Sequence, residues 1–183
     1  MIPDFFIPFI TIGLAEFGDK TQIAILALTT RTKNHLILLT GIMLAFIITD
    51  GLAILVGNYI TRLVPLYYIR IASGVLFIFF GIITILSRDK DETTGELKNP
   101  FISGFGIILL SEMGDKTQIA SGIFATKYQP LLVFAGVIIV LAILSLLAIS
   151  FGILIKKMVH RRLISFVTAG IFFIIGILIF LDL

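Results

Sequence analysis

Apolar residues occur along this chain in long blocks, and polar residues collect in the short separators between them. The blocks lie at about 5–28, 36–60, 67–86, 101–124, 131–155 and 163–181. Each reaches the roughly 18 to 20 residues that a helix needs to cross a bilayer. The separators carry boundary signals: Thr32-Lys33-Asn34-His35, Pro65, the polar run 87–100, Gln129-Pro130, and the basic run 156–162. The strict alternation of a barrel strand is absent. A helix satisfies its own backbone hydrogen bonds in lipid, so the pattern predicts an all-α integral membrane protein of six transmembrane helices.

Composition agrees with this pattern. Hydrophobic residues make up 58% of the 183, charged residues 14%, and the mean hydropathy is +1.15. A soluble domain of this size is about half apolar and a quarter charged. The first block is too long for a cleavable signal and lacks a basic leader, so it is expected to remain in the mature chain. Connections 1–2, 3–4 and 5–6 hold Arg31, Lys33, Arg88, Lys90, Lys98, Lys156, Lys157, Arg161 and Arg162, against Arg62, Arg70 and Lys127 on the other side. That asymmetry predicts both termini outside, in a multi-pass cell-membrane protein. Tyr59, Tyr67, Tyr68 and Tyr128 fall on the outer side, where an aromatic belt belongs. The net charge of +3 is then a matter of topology in the lipid bilayer, and no nucleic-acid partner is expected. The chain has no cysteine, which excludes disulfides and thiolate metal sites.

The halves repeat. Glu16-Phe-Gly-Asp-Lys-Thr-Gln-Ile-Ala24 returns as Glu112-Met-Gly-Asp-Lys-Thr-Gln-Ile-Ala120, eight identities in nine at an offset of 96. Gly41 and Gly57 match Gly136 and Gly152 at an offset of 95. The organisation read from this is a first three-helix repeat at 1–86, a hydrophilic loop at 87–100, and a second repeat at 101–183. Each repeat has an odd number of spans, so the second is inverted relative to the first. Inverted repeats bring corresponding segments together near the bilayer centre, and the two motifs are expected to build one site.

On a continuous helix Glu16, Asp19 and Gln22 share a face, as do Glu112, Asp115 and Gln118. Gly18 and Gly114 also permit a local break whose freed carbonyls could serve as ligands. Oxygen ligands without cysteine or intramembrane histidine select a hard cation, Ca2+, Mn2+ or Mg2+. Four carboxylates and two lysines sum to −2 when all are ionised, which one divalent cation or two protons can neutralise. The expected metal ligands are therefore Glu16, Asp19, Gln22, Glu112, Asp115 and Gln118. Lys20 and Lys116 balance charge, and Thr21 and Thr117 either ligate or bond to their own helix. The competing reading makes Glu16–Lys20 and Glu112–Lys116 intrahelical ion pairs that stitch a bundle together. Asp50 is a further intramembrane acid, and Ser145 replaces it in the repeat. It is a candidate for proton coupling, the other reading being a protonated acid hydrogen-bonded to a neighbouring helix.

Two copies of Glu-x-Gly-Asp-Lys-Thr, one on the first span of each half, resemble the Gdt-type family of calcium/manganese cation:proton exchangers, within the LysE-like superfamily. The resemblance covers essentially the whole chain and rests on Glu16, Gly18, Asp19, Lys20 and Thr21 with Glu112, Gly114, Asp115, Lys116 and Thr117. It implies a secondary transporter, not an enzyme, with the acidic motif residues holding the cation. The implied function is export of Mn2+, or Ca2+, from the cytosol in exchange for protons by alternating access. Metal ion and protons are then transported species, and no resident cofactor is expected. The short central loop and the lack of a targeting extension suggest a prokaryotic plasma membrane. A passive divalent cation channel and an amino-acid exporter are the alternatives, and a homo-oligomer is open.

Overall fold

The structure is a computed structural model that describes residues 2–56, 97–113 and 115–158, with isolated positions at 71, 75, 78, 79, 82, 170, 173, 174 and 177. Apart from those positions, the third and sixth expected spans, 67–86 and 163–181, and most of the 87–100 loop lie outside the described residues. Among the described residues there is no strand. The chain forms α1 (Ile2–Glu16), α2 (Lys20–Thr30), α3 (His35–Val56), α4 (Pro100–Glu112), α5 (Lys116–Lys127) and α6 (Pro130–Met158).

Their ends follow the sequence. Asn99 caps α4 by accepting a hydrogen bond from the Ile102 N–H at 3.1 Å, and Pro100 occupies the first turn, where a missing N–H costs nothing. Pro130 opens α6 in the same way, and the Gln129 carbonyl accepts from the N–H groups of Leu132 and Val133. α3 and α6 are unbroken apolar runs without an internal proline, and both are long and apolar enough to cross a membrane.

Of the two readings of the spans at 5–28 and 101–124, a continuous helix and a local break within the motif, the break is the one found. Each of these spans is two shorter helices, α1 with α2 and α4 with α5, and both interruptions fall inside the repeated motif.

Packing pairs the elements across the halves. α3 lies chiefly on α4, and α6 chiefly on α1; α3 also packs on α5, and α6 on α2. Glycine makes the closest approaches possible. A Cβ on Gly41 would stand 2.3 Å from the Phe101 carbonyl oxygen, and one on Gly136 would stand 2.6 Å from that of Phe5. No side chain fits there. Gly41 and Gly136 are the glycines matched at 95, and Phe5 and Phe101 are matched at 96. The core between these helices holds Leu38, Ile42 and Phe46 of α3, Val133 and Val137 of α6, Ile25 and Leu28 of α2, and Ile108 of α4.

Polarity is distributed inside out. Leu55 is 82% exposed and Leu36 78%, whereas Glu16 is 3% exposed and Glu112 1%. Large aliphatic side chains turned outward and carboxylates turned inward suit a lipid solvent, which costs the former nothing and the latter a great deal.

Candidate metal centre at two helix breaks

The first break follows from local chemistry. α1 ends at Glu16, and Gly18 takes a left-handed φ of +80°, which glycine adopts without steric cost and other residues rarely do. The chain turns through an Asp19 N–H to Glu16 carbonyl bond of 3.2 Å, and α2 starts at Lys20 with Asp19 as its N-cap. An N-cap aspartate ordinarily spends its carboxylate on the amides of the first turn. Asp19 makes no such bond, so its oxygens are left for other partners. The second break repeats the turn, with Asp115 N–H donating to the Glu112 carbonyl at 3.0 Å. Gly114 and the side chain of Lys116 lie outside the described residues.

The breaks face each other and are cross-braced. Lys20 Nζ lies 3.0 Å from Asp115 Oδ2. Thr21 Oγ1 donates to Glu112 Oε1 at 2.5 Å and stands 3.1 Å from the Ser111 hydroxyl. In the opposite sense, the Thr117 side chain hydrogen-bonds the Glu16 carboxylate. Each threonine therefore sits in the first turn after one break and holds the glutamate that closes the helix before the other. The lysine pairs across the halves too, and the intrahelical Glu16–Lys20 pair is not formed: with residues 17–19 out of the helix, those side chains are no longer one turn apart on a common face. A lysine at a helix N-terminus opposes the helix dipole, and its partner Asp115 offsets that cost.

One carboxylate oxygen from each of Glu16, Asp19 and Asp115 lies within 4.8 Å of the others. Oxygens bound to one hard divalent cation stand at most roughly 4 to 5 Å apart, so these three match the spread of a single coordination shell. The C-termini of α1 and α4 also end here, and half-helix C-termini favour cations. Glu16 further feels the charges of Asp19, Asp115 and Asp50.

The remaining expected ligands are placed differently. Glu112 is buried and held by Thr21 outside the three-acid cluster. Gln22 turns its Oε1 onto the Gly18 N–H at 3.1 Å, bracing the break, and its Nε2 is buried without a hydrogen-bond partner among the described residues. Gln118 is half-buried in the first turn of α5. Glu16, Asp19 and Gln22 thus do not share one helical face; Glu16 and Asp19 converge because the helix is interrupted, and Gln22 turns back onto the break. Two residues went unnoticed in the sequence, Ser111 beside Thr21, and Ser121, whose Oγ donates to Asp50 Oδ1 at 3.2 Å. Neither recurs in the other half, where Ala15 and Ile25 stand 96 residues earlier. Their only signal was a small hydroxyl in an apolar run, one beside a motif and one shortly after it.

Comparison with known proteins is consistent with a cation site. The profile of the divalent cation/proton antiporter GDT1 family matches residues 4–92 and 100–183. The chain belongs to the GDT1 family. It is thereby a divalent cation transporter and not an enzyme. Relatives include a Vibrio cholerae protein named "Putative manganese exporter", 29% identical over 91% of this chain and 85% of its own length. A GDT1-like protein of Synechocystis is 24% identical over 97% of this chain and 96% of its own. The divalent cation/proton antiporter GDT1 of Saccharomyces cerevisiae is 30% identical, over 42% of this chain and 27% of its own length. No solved structure matches the chain.

Proposed function

We propose that this GDT1 protein exports Mn2+ from the cytosol in exchange for protons, by alternating access around the two helix breaks. The observation that carries the reading is the convergence of Glu16, Asp19 and Asp115, drawn from opposite breaks, within 4.8 Å. Glu112, Gln22 and Gln118 would enter the shell as the breaks move. Lys20 supports the choice of exchange, because its Nζ lies 3.0 Å from Asp115 Oδ2 and so competes with a cation for that carboxylate. Four carboxylates and two lysines leave −2, which one Mn2+ or two protons can offset. Manganese is favoured over calcium by the name of the Vibrio relative, which aligns with most of this chain.

Alternating access needs a scaffold that can rock about a fixed site, and the proposed scaffold is six transmembrane helices in two inverted three-helix repeats. The matched close approaches of Gly41 to Phe101 and Gly136 to Phe5 support it, since a two-fold relation between halves exchanges one contact for the other. The proposed setting is a prokaryotic plasma membrane with both termini outside, as the basic connections favour.

The test is purified protein in proteoliposomes, with Mn2+ flux and internal pH recorded together and Ca2+ offered in parallel. Native protein should move Mn2+ and protons in opposite directions, and Glu16→Gln and Asp115→Asn should each lower the flux about 100-fold, as loss of a buried charge partner implies. Flux that dissipates a cation gradient without moving protons would indicate a channel. If a Glu16→Gln/Asp115→Asn double variant transported at the native rate, the site assignment would be wrong; faster Ca2+ than Mn2+ exchange would reassign the cargo.

A further inference from the structure

Asp50 stands outside the motif cluster, in the middle of α3. It is 2% exposed; Oδ1 accepts from Ser121, the Thr49 hydroxyl stands beside the same carboxylate, and Oδ2 is buried without a geometrically formed hydrogen bond among the described residues. The charges that act on it or feel it are all acidic: Asp115 at the cap of α5, Glu112 on α4 and Glu16 on α1. The third helix packed on α3 is α6, which has no ionisable residue between 130 and 155. Lys127 is at the far end of α5, and the side chain of Lys116 is outside the described residues. Among the described residues an acid so placed has no cation to pair with, and one of its oxygens is open to a proton.

Its contact with α5 is the second observation. Thr117 and Ser121 are four residues apart on α5 and so share a face. Thr117 reaches Glu16, and Ser121 reaches Asp50. One rigid turn of helix therefore touches the cation cluster at one end and Asp50 at the other.

We propose that Asp50 is a proton-binding site separate from the cation site, and that Ser121 is the contact through which α5 relays the occupancy of one to the other. This rests on the exchange reading above and goes beyond it. The motif acids and lysines are balanced by the cation alone, so a proton on Asp50 is not one that the cation displaces directly. A cation that draws Glu16 and Asp115 together pulls on the first turn of α5 and shifts Ser121 against Asp50. The proton bonds to Oδ2 on one side of the membrane and leaves to water on the other, with no other bond changed. The second half has Ser145 at the matched position, so the proton site exists once while the cation motif exists twice.

The experiment uses the full chain in proteoliposomes with Mn2+ as the probe and two readouts: Mn2+ counterflow at equal pH, and net Mn2+ flux driven by an imposed pH gradient. Asp50→Asn should keep counterflow within about twofold of native and lose pH-driven flux by about tenfold or more, a ratio typical of site-to-site coupling. Ser121→Ala should show the same selective loss to a smaller degree. Native pH-driven flux in Asp50→Asn overturns the proposal. If Asp50→Asn loses both fluxes, Ser121→Ala decides: a selective loss supports the proposal, and native behaviour in both readouts overturns it. Glu16→Gln is the control on the underlying reading, since it should lose counterflow itself; if it does not, the cation assignment fails whatever Asp50 does.

Discussion

α3 and α6 meet their neighbours in the same manner yet differ at their centres. Each presses a glycine against the backbone of the first helix of the other half, Gly41 on Phe101 and Gly136 on Phe5. Each buries a polar residue at the matched position, Asp50 at 2% exposure and Ser145 at 1%. Ser145 answers its own hydroxyl by donating to the Leu141 carbonyl at 2.7 Å, as hydroxyls in apolar helices commonly do. In its ionised form Asp50 cannot do this, because a carboxylate only accepts and the helical N–H groups are already taken. It has to recruit Ser121 from a neighbouring helix. Duplicated backbone geometry is thus compatible with unequal chemistry: the contacts that fix helix spacing are shared, and the group that ties α3 to α5 is not.

The shared part of this comparison should be the most sensitive. Gly41→Ala puts a methyl group onto a backbone oxygen that cannot step aside, and should destabilise the detergent-solubilised protein by about 3 kcal/mol or more, with Gly136→Ala close behind at about 2. Thermal unfolding of the two variants checks both the size and the order; if neither lowers the midpoint, these contacts do not set the helix spacing. The unequal part is probed by Ser145→Asp, which installs an acid in α6 where Ile25 holds the place matched to Ser121. It should cost roughly 1–3 kcal/mol as an unsatisfied buried group. Adding Ile25→Ser should recover part of that loss, and a double variant no more stable than the single would break the correspondence. The smallest effect is expected at Gly18. An alanine there meets open space but keeps a left-handed backbone, so Gly18→Ala should cost about 1 kcal/mol while leaving the break in place.

The hydrophobic blocks revealed most of the helix boundaries, because Asn99-Pro100 and Gln129-Pro130 are strong local signals that burial does not override. The repeated motif also pointed to the two helix breaks that meet across the halves. What pattern alone did not decide was whether residues 16 to 22 form a helix or a break. Gly18 and an N-capping Asp19 are compatible with either, and the choice depends on Thr21 and Lys20 finding Glu112 and Asp115 some 90 residues away. Ser121 was invisible for a related reason. A repeat search rewards what both halves keep, and the serine that matters to Asp50 is kept by one.

The pairing of α3 with α4 and of α6 with α1 has one more consequence. The most extensive packing among the described helices joins the halves rather than the members of one half. This is how a domain-swapped dimer is built, each subunit completing its partner with a lent arm. Under the inverted-repeat organisation proposed above, two three-helix units inserted in opposite senses would already possess this interface, and a linker would only have to join them.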